Sequence, residues 1–192
     1  MMETLWFYIN LGFWHVIDWK GLDHFYFIVT LTLPFSFKES GKLLCWVTLF
    51  TLGHTISLIG NFYTQFPFSS YWIELLIPIT IALSATSIFF LKSEDSSTKS
   101  KIFLPLITVV FGVIHGLGFG RYFKMLIPEN AVTSSLFSFA LGVELAQATI
   151  VIVVLFICRL VLKTLKQSKK KWKFIIGSLI LLAAFKMILE RI

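Results

Sequence analysis

Apolar residues in this chain gather into stretches long enough to cross a bilayer, and most of the charged ones fall between them. A spanning helix needs about 20 residues, with a range of roughly 17–25. Six stretches qualify or come close: 22–37, 43–60, 71–91, 102–122, 135–162 and 174–189. The fifth is longer than a bilayer requires and should tilt or protrude. None alternates in and out over about ten residues, as a barrel strand would. The composition is 57% hydrophobic and 14% charged, against about 45–50% and about 25% in soluble domains. The expected fold is therefore an all-α membrane protein with six transmembrane helices, forming one integral membrane domain over 1–192. Residues 5–20 are rich in Trp and Phe and interrupted by Gly12 and by Lys20-Gly21. They predict a short interfacial or re-entrant helix ahead of the first span. The opening Met1-Met2-Glu3 has neither a basic start nor a small-residue cleavage site, so membrane delivery is expected to rest on the spans themselves.

The net charge of +7 is distributed in a way that excludes a nucleic-acid partner. Loops 38–42, 92–101 and 159–173 hold most of the lysines and arginines and fall on one side of the membrane. The opposite side has Lys20, Arg121, Lys124 and Arg191, with Lys186 near the end of the last span. The positive-inside rule puts the first set in the cytoplasm and both termini outside, as in a bacterial inner or plasma membrane. The basic run at 166–173 reads as an anchor at the headgroups. Cys45 and Cys158 lack metal-ligand spacing and read as reduced, inert small hydrophobes.

Against this apolar background, all four histidines, His15, His24, His54 and His115, lie in or at the edge of apolar stretches. Intramembrane ionisable residues are costly and are by default candidates for a functional site. Asp18, Asp23, Glu74 and Glu144 share that placement. The expected topology puts His15, Asp18, Asp23, His24, His54, Glu74, His115, Glu144 and Gln147 at similar depth in the outer half. Thr51, His54 and Ser57 recur on one helical face, and so do Glu144 and Gln147. Gly112, Gly116 and Gly120 form a small-residue stripe beside His115, which lets another helix approach closely. The expected metal ligands are His24, His54 and His115, completed by Asp23 or Glu144, with His15 at the mouth of the site. Gln147, Thr51 and Ser57 are expected to support the ligands by hydrogen bonds, and Asp18 and Glu74 to play structural parts near the interface. Imidazole and carboxylate without thiolate suit Zn²⁺, Ni²⁺, Co²⁺ or Fe²⁺ rather than Cu(I), Ca²⁺ or Mg²⁺.

Four segments in order, GFWHVIDWKGLDHFYFIVTL (12–31), FTLGHTISL (50–58), FGVIHGLGFG (111–120) and FALGVELAQ (139–147), resemble the motifs of the HupE/UreJ family. The chain is similar to the branch with seven residues between the first histidine, His15, and the Asp23-His24 pair. The resemblance implies a nickel or cobalt permease of the kind associated with hydrogenase or urease maturation. It also implies that His15, Asp23, His24, His54, His115 and Glu144 handle the metal.

Two other functions fit the residues themselves. Three histidines leaving a fourth position open on Zn²⁺ would activate water in a membrane-embedded hydrolase or transferase, with Glu144 as general base. No H-E-x-x-H motif accompanies them. A metal sensor without turnover is the third. The partners expected are a metal ion (Ni, Co or Zn) and membrane lipid, with room left for a homo-oligomer.

Overall fold

A computed structural model describes residues 2–19, 21–64, 69–90, 98–128, 131–164, 166 and 168–192. Seven α-helices form there: α1 (Met2–Val16), α2 (Asp23–Thr32), α3 (Ser40–Tyr63), α4 (Ser70–Phe90), α5 (Thr98–Leu126), α6 (Val132–Thr164) and α7 (Lys169–Leu189). No strand occurs among the described residues. Helices α3 to α7 are long and apolar enough to cross a membrane. Their outward faces carry large apolar side chains such as Phe137, Leu145, Ile152 and Phe156 on α6 and Leu179, Leu182 and Phe185 on α7, all exposed. Surface of that kind needs lipid rather than water, and the chain is an integral membrane protein.

The N-terminal third differs from the sequence expectation. The first expected span, 22–37, forms only the ten-residue α2, which stops before Pro34. Proline supplies no amide donor and disfavours helical geometry in the residue before it. The chain then makes a short 3-10 turn, Phe37–Glu39, capped reciprocally by Ser36 and Glu39, before α3 begins. At 1.5 Å per residue α1 and α2 measure roughly 22 Å and 15 Å, so neither crosses a core of about 30 Å alone. Among the described residues five helices thus reach spanning length, where six were expected. Helix α1 keeps an exposed aromatic face of Trp6, Phe7 and Trp14, yet buries Tyr8 and Val16. The solvated loop expected at 92–101 falls largely outside the described residues.

What holds α1 in place is a close helix crossing. A Cβ at Gly12 would collide with the carbonyl of Phe139, and one at Gly142 with the carbonyl of Ile9. Tyr8 Oη donates to the carbonyl of Leu126, the last residue of α5, at 2.8 Å, while His15 packs on Phe139 of α6. Position 8 thus lies at the end of α5, before α6 sets out, and positions 12 and 15 beside 139–143, so α1 runs down α6 in the same direction. Helices α3 and α5 repeat the arrangement. Gly53 meets the carbonyl of Val109, and Gly112 that of Phe50. The glycine stripe continues with Gly116 against His54 and Ser57 and Gly120 against Asn61, so these two helices also run parallel.

Basic residues gather at the end where α3 and α7 begin. Lys42 lies over the rings of Phe35 and Trp46, Arg159 over Phe37, and Lys169 donates to the carbonyl of Pro34 at 2.7 Å.

Replacing Gly142 by leucine would force the α1–α6 backbones apart. Overpacking of this kind costs about 1–3 kcal/mol, so Gly142→Leu should lower the thermal midpoint in detergent. Gly41→Ala, with open space around its Cβ position, should leave the midpoint unchanged.

Candidate metal centre

The break between α1 and α2 is where the histidines meet. His15 lies in the last turn of α1 and His24 is the second residue of α2. His54 comes from the middle of α3. The ring nitrogens of His15, His24 and His54 that face one another all lie within 4.8 Å. Ring centroids are 4.7 Å apart for His15–His24 and 5.7 Å for His15–His54 and His24–His54. His115, on α5, stands 5.2 Å from His24. The sequence reading set His15 at the mouth, because an intervening glycine and a turn separate it from His24. The break folds it into the tight group, and His115 stands beside that group instead.

The chemistry of the four rings is unusual for a protein interior. His24, His54 and His115 are buried, and the Nε2 atoms of all four histidines are inaccessible to solvent and have no hydrogen-bond partner among the described residues. Leaving one buried polar atom unsatisfied costs about 1–3 kcal/mol. The tautomer of His115 follows from its contact: Nδ1 lies 2.8 Å from the carbonyl of Phe111. A carbonyl can only accept, so Nδ1 carries the proton and Nε2 of the neutral ring carries a lone pair. A bare lone pair on a fixed imidazole is what a transition-metal ion binds.

Aromatic rings wall the cluster. Phe119 lies 4.0 Å from His15, and Phe139 packs on both His15 and His54. On the other side Phe50 contacts His24, His54 and His115, with Phe27 stacked on it at 4.9 Å. These phenylalanines exclude water from the nitrogens, and the sequence reading of candidate site residues did not include them. Their signal is helical spacing: Phe50 precedes His54 by four positions, Phe111 precedes His115 by four, and Phe119 follows it by four.

The carboxylates lie off the cluster. Glu144 accepts hydrogen bonds from Thr48 and Thr51, each 2.6 Å, and Thr51 Oγ1 is also 2.9 Å from Gln147 Oε1. One hydroxyl proton cannot serve both acceptors. The shorter, charge-assisted bond goes to Glu144. The buried Gln147 amide, whose Nε2 has no partner, is satisfied by turning that NH₂ toward Thr51. Thr48 was not foreseen, although it lies one helical turn from Thr51. Asp23 pairs with Arg191 at 3.9 Å. Ser57 donates to the carbonyl of His54 at 2.8 Å. Glu74 is exposed and lines a cleft with Asn61, Ser70, Ile73, Leu117, Gly118 and Arg121. The Asp18 carboxylate acts electrostatically on His15.

A bundle with lipid-facing helices and a buried, water-excluded histidine cluster defines a polytopic membrane protein with a candidate metal site. The chain belongs to the HupE/UreJ family, a membrane family linked to nickel and cobalt transport, and the family model matches residues 1–191. No curated protein and no solved structure matches it.

Thr51→Val removes the hydroxyl shared by Glu144 and Gln147. The expected loss is about 1–3 kcal/mol, read as a lower denaturation midpoint. Thr149→Val, whose hydroxyl serves only the exposed Leu145 carbonyl, should be near neutral.

Proposed function

We propose that this protein is a divalent transition-metal permease of the nickel/cobalt type, which strips and passes the ion at the α1–α2 break. The observation that carries the reading is the set of four buried Nε2 atoms without partners, three of their rings converging within one ion's reach. An incoming cation relieves them together. His15, His24 and His54 are the first ligands on this reading, and His115 takes part from the side of His24.

Two features favour passage over storage. Broken helices are the means by which transporters expose ligands at depth in a membrane, and α1 and α2 together supply the sixth crossing, interrupted at the site. A polar trail then leads from His54 along α3 to Thr51 and Thr48 and across to Glu144 and Gln147 on α6. The trail supplies hydroxyl and carboxylate oxygens on the side of the histidines where α3 begins. With the basic end in the cytoplasm by the positive-inside rule, the trail runs inward. The whole chain then acts as one membrane domain.

The hydrolase alternative calls for Glu144 as a base beside metal-bound water. Its carboxylate is instead engaged by Thr48 and Thr51, which fits a relay position better than a catalytic one.

Purified protein should bind Ni²⁺, Co²⁺ or Zn²⁺, and proteoliposomes should accumulate at least one of these ions. His24→Ala and His54→Ala should each weaken binding by more than about 100-fold. Tight binding with no uptake of any of the three ions would end the permease reading. Full stoichiometry in both variants would end the site assignment.

A further inference from the structure

Asp23 neighbours His24 in sequence and opens α2, and its carboxylate pairs with the guanidinium of Arg191, 3.9 Å off. Arg191 follows α7, a helix that gives nothing to the histidine cluster. Packing of α7 on α4, where Gly177 meets Phe89 and Ile88, carries Arg191 to this end of the bundle. There its Nη1 donates to the carbonyl of Glu74. The Asp23 and Arg191 side chains are both largely buried, and the charges of both act on the His115 ring. Glu74 itself borders the cleft shared with Asn61, two turns beyond His54 on α3.

Asp23 does not need Arg191 to stay in place. A carboxylate in the first turn of a helix is favoured by the helix dipole and the free amide groups there. The pairing is also loose: 3.9 Å exceeds hydrogen-bond length. Arg191 has a second anchor, the carbonyl of Glu74. A cation approaching the histidines from this end meets a carboxylate whose charge is already matched by a tethered cation.

We propose that Arg191 is an intramolecular competitor for the metal: it occupies Asp23 when the histidine site is empty and yields that carboxylate to an arriving divalent cation. This rests on the metal-site reading above and adds its regulation. The guanidinium sets a threshold, so monovalent ions do not displace it and a divalent ion does. Once displaced, it repels the bound ion and favours its onward passage toward Thr51 and Glu144.

Calorimetric titration of the purified full chain with Ni²⁺ alone tests this. Arg191→Gln should bind Ni²⁺ about tenfold more tightly and release it more slowly. Arg191→Lys, which keeps the charge, should stay close to the unaltered protein. In an Asp23→Asn background the gain from Arg191→Gln should shrink to less than about twofold. Unchanged or weaker binding in Arg191→Gln, with the unaltered protein still binding Ni²⁺, overturns the competitor and leaves the histidine site standing. An equal gain in the Asp23→Asn background overturns it as well, since the effect would then not pass through Asp23. No binding by the unaltered protein overturns the site and the competitor together. Should Arg191→Gln fail to fold, an Arg191→Lys protein of equal stability and markedly altered affinity would overturn the charge-based account.

Discussion

Two backbone crossings, α1 on α6 and α3 on α5, depend on glycines that leave no side chain between the helices. Each lets carbonyl oxygens of one helix approach the other's backbone, which a single added methyl would prevent. In a bilayer, where lipid is as apolar as leucine, close packing of this kind is a principal force holding helices together. The crossings also fix the site. His15 follows Gly12 by three positions and His54 follows Gly53 by one. His115 and Glu144 follow Gly112 and Gly142 by three and two. The side chains that converge are thus set by the tightest contacts in the fold, on rigid helices rather than on mobile loops.

The sequence shows the five long helices because each is a continuous apolar run, a property of neighbours along the chain. It does not show the fate of 1–37. Helix α1 is stabilised by α6, more than 120 residues away, and only Gly12 and Gly142 hint at the pairing. Local reading therefore assigned α1 to the interface and extended α2 past Pro34. The same limit explains His15. Its distance from His24 along the chain suggested a peripheral role, while the two helices bring the rings to 4.7 Å. The histidines themselves were legible, since imidazole in hydrocarbon stands out without any knowledge of its neighbours. The partners of the carboxylates were not, because Asp23–Arg191 and Glu144–Thr48 join distant parts of the chain.

The arrangement of charge around the proposed site has a consequence for how an ion would behave in it. Neutral imidazoles leave a divalent ion's charge uncompensated, and phenylalanine walls keep water from compensating it. Of the carboxylates, Asp18 acts on His15 and Asp23 on His115, while Glu144 is held by Thr48 and Thr51 toward the end where α3 starts. Such a site would bind through lone pairs, with Asp23, once Arg191 yields it, and Glu144 attracting the ion from either side. A storage or structural site would bring those carboxylates into contact with the metal. Conduction needs binding strong enough to dehydrate the ion and weak enough to release it. Separating the ligands that coordinate from the charges that attract is one way a helical bundle meets both conditions.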